Sequence, residues 1–272
     1  MIQLVATDLD GTLLRSDKTI SQETAEVLSR LDQKGILFVP ATGRTHAELT
    51  PSVRVLPFLH YAITCNGSGV YDYEKKQYLF NEEIENDIAV EVAEYCKDQP
   101  VHVTMVCEGM RFVQADEAGN IPAFVRENAA PGILDVATVS ENLAGLLQES
   151  GKPVQKFLIY PMGRDRMGEV LGILRERFPA LFISTSGPLF VEVNAPGIDK
   201  GKGLRRLCEC LDIPLENTLV FGDAANDLAM LRAAGRAVVP ENGTDEAKAL
   251  ADSICESCDE DGVRRELERM GI

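Results

Sequence analysis

Carboxylates grouped at the ends of apolar runs are the residues of this chain best suited to do chemistry. Residues 2–7 lead into Asp8-Leu9-Asp10-Gly11-Thr12, and residues 219–221 lead into Gly222-Asp223-Ala224-Ala225-Asn226-Asp227. Side chains alternate along a strand, so Asp8 and Asp10 point one way while Leu9 points into the packing layer. Such a pair can supply a nucleophile and a proton carrier, or oxygen ligands for a hard cation such as Mg2+. Gly11 permits a sharp turn directly after the pair, and Thr12 adds a hydroxyl and a backbone N–H. A plain strand followed by an Asp-Gly turn is the competing reading of the first string. In the second, helix capping accounts for Asp227 but leaves Asp223 unexplained.

Three further clusters carry polar groups to similar places. Residues 36–40 form an apolar run that ends in Ala41-Thr42-Gly43-Arg44, a hydroxyl and a fixed cation at a strand end. Read locally, these are only a turn and the start of a helix. Asn66-Gly67 lies between strand-like residues 61–65 and 70–73, the pattern of a hairpin. Lys200, in Asp199-Lys200-Gly201-Lys202-Gly203, invites comparison with the phosphate loop GxxxxGK[ST]. That loop needs Gly at 196 and Ser or Thr at 203, where this chain has Pro196 and Gly203, so it is excluded. Lys200 is then either a solvated helix-end lysine or the cation of an anionic site.

The elements that must position these groups follow from periodicity. Ser21 is an N-cap for a helix whose apolar face holds Ala25, Leu28 and Leu31 and which Gly35 closes. Leu204, Leu207 and Leu211 face a helix beginning near Lys200, and Leu228 and Leu231 one beginning near Asp227. Short buried runs alternating with helices predict a parallel α/β sheet, whose ligands bind outside the carboxyl ends of the strands. Residues 15–20 are polar and predict a flap over that end. From about 81 to 188 the texture changes. A helix is predicted over 87–97, strands over 101–107 and 111–115 turning at Glu108-Gly109, a helix after Ser140, a strand over 154–160, a helix over 164–178 and a strand over 181–184. This is a complete α/β unit inserted between the halves of another; residues 116–135 show no firm period.

At 272 residues the chain suits one large or two modest domains, and two are preferred. With 45% hydrophobic and 26% charged residues it reads as an ordinary soluble protein. No apolar run is long enough to span a bilayer, and a strand beginning at Ile2 leaves no room for a signal peptide, so the cytoplasm is expected. Seven cysteines without an export signal suggest reduced thiols. Cys208-x-Cys210 and Cys255-x-x-Cys258 are too loosely spaced for zinc and have no histidine near. A net charge of −16 disfavours nucleic acid and anionic membranes as partners, so any positive field for a phosphate must be local.

The DxDGT string with apolar flanks resembles the signature of haloacid dehalogenase superfamily phosphatases. The chain is similar throughout to their Cof-type subgroup: Thr42-Gly43-Arg44 to the second motif, the string from Glu192 to Lys200 to the third, and GDxxND at 222–227 to the metal motif residue by residue. Residues 237–243 resemble the subgroup's AMxNA segment, with Gly243 in place of the usual Ala, and the similarity resumes through Ala251-Asp252 and Glu260-Asp261-Gly262-Val263. The resemblance implies a Rossmann-like parallel-sheet core of residues 1–80 and 190–272, with an inserted α/β cap over 82–188 and hinges near Asn81 and Gly187-Pro188. It implies Asp8 as nucleophile, Asp10 as general acid/base, Thr42 as a phosphoryl ligand and Lys200 as the neutralising cation. Gly11, Thr12, Gly43, Arg44, Asn66, Asn226 and Asn242 are then expected around the substrate phosphate, and Asp8, Asp10, Asp223 and Asp227 around Mg2+. A carboxylate approaching a phosphate dianion meets repulsion of about 4 to 8 kcal/mol at an effective dielectric near 20, so cations are required. The expected activity is hydrolysis of small phosphomonoesters, such as sugar phosphates, through an aspartyl-phosphate. A phosphomutase, or a non-catalytic module carrying a phosphorylatable Asp8, are the alternatives; Asp10 argues against the module.

Overall fold

Five short parallel strands carry the carboxylates, in the order Ser253–Cys255, Arg236–Pro240, Thr218–Phe221, Leu4–Thr7, Leu37–Pro40. Their residues are almost all buried, because helices cover both faces of the sheet. Alternation divides each strand between two apolar layers. Val5, Leu219 and Phe221 face one layer with Val27, Leu28 and Leu31 of helix Gln22–Gln33 and Val263 and Leu267 of helix Gly262–Arg269. Leu4, Ala6 and Val220 face the other, with Leu204 and Leu207 of helix Lys200–Leu211 and Met230 and Leu231 of helix Leu228–Ala233. Leu4–Thr7 lies between Leu37–Pro40, which follows it in the chain, and Thr218–Phe221 from the distant half. The strand order reverses there, which makes the carboxyl ends of these strands the natural ligand crevice.

The computed structural model describes residues 1–129, 133–163, 166–185 and 189–272. The chain divides into two units, Met1–Asn81 with Asp199–Ile272, and Glu82–Ile198. The fold is α/β, a Rossmann-like parallel-sheet core interrupted by an inserted α/β cap domain. The first unit also holds a small antiparallel sheet of Tyr61–Thr64, Gly69–Asp72 and Gln77–Asn81. The expected two-residue Asn66-Gly67 turn is instead a four-residue connection, since Thr64 pairs with Gly69. Cys65, Asn66 and Gly67 all have positive φ there, at 49°, 56° and 96°. Gly67 is required at this point: a Cβ would stand 2.1 Å from the carbonyl oxygen of Asp199.

The second unit is built on a six-stranded sheet in the order Phe182–Ser184, Val191–Asn194, Lys156–Pro161, Val101–Cys107, Met110–Gln114, Thr138–Ser140. Helices Asn86–Lys97, Leu143–Ser150 and Met167–Arg177 bury one face through Val92, Leu147, Leu174 and the strand residues Met105, Phe157 and Val193. The expected core boundary at residue 190 is corrected. Val191–Asn194 pairs antiparallel with Lys156–Pro161 and Phe182–Ser184, so residues up to Ile198 belong to the inserted unit, and its far limit is 198 rather than 188. Backbone pairing decided this; a four-residue buried strand reads the same in either sheet. The segment without a period contains helix Ala123–Asn128, and strand Thr138–Ser140 was not foreseen. The proposed hinge at Gly187-Pro188, and Arg164 at the start of a predicted helix, lie outside the described residues. No helix among the described residues is long and apolar enough to cross a membrane.

Candidate active site

Asp8 follows strand Leu4–Thr7 directly, its backbone N–H donating to Phe221 O at 2.9 Å, and so its side chain emerges beside the end of strand Thr218–Phe221. Asp223 and Asp227 come from the loop after that second strand. One oxygen from each of Asp8, Asp223 and Asp227 lies within 4.8 Å of the others. Lys200, the first residue of its helix and fully buried, donates from Nζ to Asp8 Oδ1 at 2.6 Å and to Asp227 Oδ1 at 2.7 Å. It is no solvated lysine. Asp227 Oδ2 accepts the backbone N–H groups of Asp223 and Ala224 at 2.9 and 3.1 Å, which shapes the loop that presents Asp223. Asp223 Oδ1 accepts the Thr12 hydroxyl at 2.7 Å. Gly11, at φ 95°, passes so close that a Cβ would stand 2.7 Å from Asp223 Oδ2.

The charges act on one another. Burial, then the carboxylates of Asp227 and Asp223, hold the Asp8 carboxyl well above its ordinary pKa against the opposing pull of Lys200. Burial and Asp227 likewise raise Asp223, against the Thr12 hydrogen bond. Burial disfavours the Lys200 ammonium, but Asp227 and Asp8 outweigh it and its pKa is raised.

Asp10 stands in different company. Arg44 donates from Nε to Oδ2 at 2.9 Å and from Nη2 to Oδ1 at 3.0 Å, and Lys18 Nζ lies 2.9 Å from Oδ1. Partial burial would raise the Asp10 pKa, yet these two cations overcome it and lower it. Arg44, expected on the phosphate, thus has its guanidinium fork on Asp10. Thr42 is buried and its hydroxyl accepts the Arg44 N–H at 3.2 Å, while its carbonyl accepts the Asn66 N–H at 3.0 Å. Asn66 Oδ1 accepts from Asn226 Nδ2 at 3.2 Å and sits 3.1 Å from where a Gly43 Cβ would be, which ties Thr42, Gly43, Arg44, Asn66 and Asn226 into one group. Asn242 is aimed elsewhere than expected: Nδ2 donates to Gly11 O at 2.7 Å and Oδ1 accepts Cys258 N–H at 3.0 Å, so its amide braces the turn after Asp10. Glu192 of the third string has a partner of its own. It is buried in the inserted unit and paired with Lys156 at 3.2 Å.

Sequence reasoning missed the anchoring of the flap. Arg15 makes a two-pronged pair with Asp261 at 3.0 and 2.7 Å, and Ser16 donates through N–H and hydroxyl to Asp259 at 2.8 and 2.7 Å. Lys18, on the same flap, was also missed. No local pattern joins residues about 240 positions apart, and the closing acidic stretch was legible only as part of the family resemblance.

A family model described as haloacid dehalogenase-like hydrolase matches residues 5–267. The chain is 31% identical over 271 residues to 5-amino-6-(5-phospho-D-ribitylamino)uracil phosphatase YcsE of Bacillus subtilis, covering 98% of this chain and 94% of that one. It is 27% identical over 264 residues to pyridoxal phosphate phosphatase YbhA of Escherichia coli, covering 93% and 92%. Among solved structures, TM0651 from Thermotoga maritima superposes with a TM-score of 0.84 at 29% identity, over 99% of this chain and 97% of that chain. With nearly its whole length matched by the family model and by relatives that are named phosphatases, the chain belongs to the haloacid dehalogenase-like hydrolases and is a phosphatase among them.

Proposed function

We propose that the protein hydrolyses small phosphomonoesters, sugar phosphates or similar, with Mg2+ and through an aspartyl-phosphate on Asp8. The observation that carries this reading is the cluster of three carboxylates, Asp8, Asp223 and Asp227, two of which, Asp8 and Asp227, share one buried ammonium, Lys200. Three carboxylates against one ammonium leave two formal negative charges in excess in a place largely removed from water. An all-oxygen donor set of that charge fits a hard divalent cation. Asp8, the backbone carbonyl of Asp10 and Asp223 would hold Mg2+, with Asp227 just behind, and the bound ion would supply neutralisation between the nucleophile and the phosphoryl oxygens.

In the first half-reaction an oxygen of Asp8 attacks phosphorus in line, and the ester P–O bond breaks as Asp10, which must first take up a proton from solvent against the pull of Arg44 and Lys18, delivers it to the departing oxygen. In the second, Asp10 takes a proton from a water that attacks the same phosphorus; inorganic phosphate leaves and the Asp8 carboxylate is restored. Lys200 offsets charge on Asp8 throughout. The Thr42 hydroxyl and the backbone N–H groups after Asp8 serve the equatorial oxygens. The substrates in the names of the two curated relatives, a ribityl phosphate and pyridoxal phosphate, support a small soluble ester. We place the reaction in the cytoplasm, a reading supported by cysteines that stand in no disulfide among the described residues, such as Cys255, whose thiol pKa burial pushes up to about 12. The test is to incubate purified protein with Mg2+ and a panel of phosphomonoesters. Phosphate release that Asp8→Asn abolishes supports the reading; release by that variant at the wild-type rate would sink the covalent route.

A further inference from the structure

We propose that Arg44 is a positioning residue for Asp10 rather than a ligand of the substrate phosphate. The inference rests on the reading of Asp10 as the acid/base. Arg44 is buried and held from behind: its backbone N–H donates to the Thr42 hydroxyl at 3.2 Å and its Nη1 to Glu48 O at 3.3 Å. The opposite edge of the guanidinium meets both oxygens of Asp10, at 2.9 and 3.0 Å. A planar fork on a carboxylate fixes its direction as well as its place, which a single-point cation cannot do. Lys18, from the flap, makes a third contact at 2.9 Å.

Asp10 needs such a hold. Its side chain is 36% exposed, so packing alone does not fix the direction of the carboxylate. Proton transfer demands a heavy-atom separation of about 2.6–3.2 Å, and a misplacement of about 1 Å can cost a hundredfold in rate. The group that sets the direction of the Asp10 carboxylate therefore sets the rate at which poor leaving groups depart. It has little bearing on how tightly the phosphoryl group is bound.

The test compares wild type, Arg44→Gln, Arg44→Lys, Asp10→Asn and the double variant Asp10→Asn/Arg44→Gln. Each is assayed with p-nitrophenyl phosphate and with the fastest alkyl ester among glycerol 2-phosphate, glucose 6-phosphate and pyridoxal 5′-phosphate. Inorganic phosphate serves as competitive inhibitor. Arg44→Gln should lower kcat on the alkyl ester about 30-fold or more and on p-nitrophenyl phosphate less than about fivefold. KM and the inhibition constant of phosphate should stay within about threefold, and Arg44→Lys, lacking the fork, should recover little. In the Asp10→Asn background the same change should cost less than about twofold, because the group it acts through is gone. A tenfold rise in KM and in the phosphate inhibition constant with kcat held would make Arg44 a phosphate ligand and overturn the inference, as would a full additional loss in the double variant. Should Arg44→Gln fail to fold, Lys18→Met, on the partly exposed flap, must show the same leaving-group split at smaller amplitude or the inference falls. A wild type inert towards every ester removes the phosphatase mechanism and the inference together. An active wild type with the wrong Arg44 pattern removes the inference alone.

Discussion

Replacing Asp8 by Asn should abolish turnover without weakening the fold. Two neighbouring carboxylates within 4.8 Å each repel the Asp8 charge by at least about 3.5 kcal/mol at an effective dielectric near 20, about 7 together. Lys200 at 2.6 Å returns about 6 kcal/mol on the same scale. These terms nearly cancel, so the burial of the charge decides the sign, and that penalty amounts to several kcal/mol. Asn keeps the size and an acceptor for Lys200 while removing the charge. In EDTA at pH 7.5 the variant should be more stable by about 1–3 kcal/mol, a rise in Tm of about 2–8 °C. The pH dependence follows from the raised carboxyl. Burial first, and Asp227 and Asp223 next, lift the folded pKa above its ordinary value of 3.8, so ionising Asp8 in the folded state costs stability. That cost is absent below the unfolded value and complete above the folded one. The gap in Tm between variant and wild type should therefore close towards acid pH and widen as pH rises. Thermal melts at several pH values, monitored by circular dichroism, measure it. A Tm of the variant more than about 3 °C below wild type in EDTA at pH 7.5 would refute the argument that negative charge is in excess. So would a gap independent of pH.

The other expectations concern the same site. Chelation should remove activity and Mg2+ restore it, whereas Ca2+, with its longer and looser coordination, should bind and inhibit; full activity after exhaustive chelation would contradict the site. Lys200→Met leaves Asp8 and Asp227 buried without their cation and should cost about 3–5 kcal/mol in denaturant titration, a loss that a second change, Asp227→Asn, should partly relieve. Gly67→Ala must displace the Asp199 carbonyl at the head of helix Lys200–Leu211. It should destabilise by more than about 2 kcal/mol and lower kcat through Lys200, measured by melts and steady-state kinetics. Asp10→Asn should slow alkyl esters far more than p-nitrophenyl phosphate, whose phenolate departs with little help; equal losses would remove Asp10 from the protonation step.

What the chain determines by itself is local. Short apolar runs ending in Asp8-x-Asp10, Thr42-Gly43-Arg44 and Gly222-Asp223 specify buried strands with polar groups at their carboxyl ends. The alternation of strand and helix specifies the parallel sheet that gathers those ends. The Ser21 N-cap was legible for the same reason: its hydroxyl accepts the Thr24 N–H three residues on. Tertiary structure decided which groups meet. Lys200 reads as a helix-end lysine until folding brings it to Asp8, 192 residues away in sequence, and removes it from water. Folding likewise sets the fork of Arg44 on Asp10 and the amide of Asn242 between Gly11 O and Cys258 N–H, contacts no local pattern announces. The allegiance of Val191–Asn194 to the inserted sheet is of the same kind. Hydrophobic patterning reports whether a residue is buried, and backbone propensity reports its conformation. Neither carries the partner of a charged side chain or the neighbour of a strand, because both are fixed by chain segments that only the packed fold brings within a few ångströms.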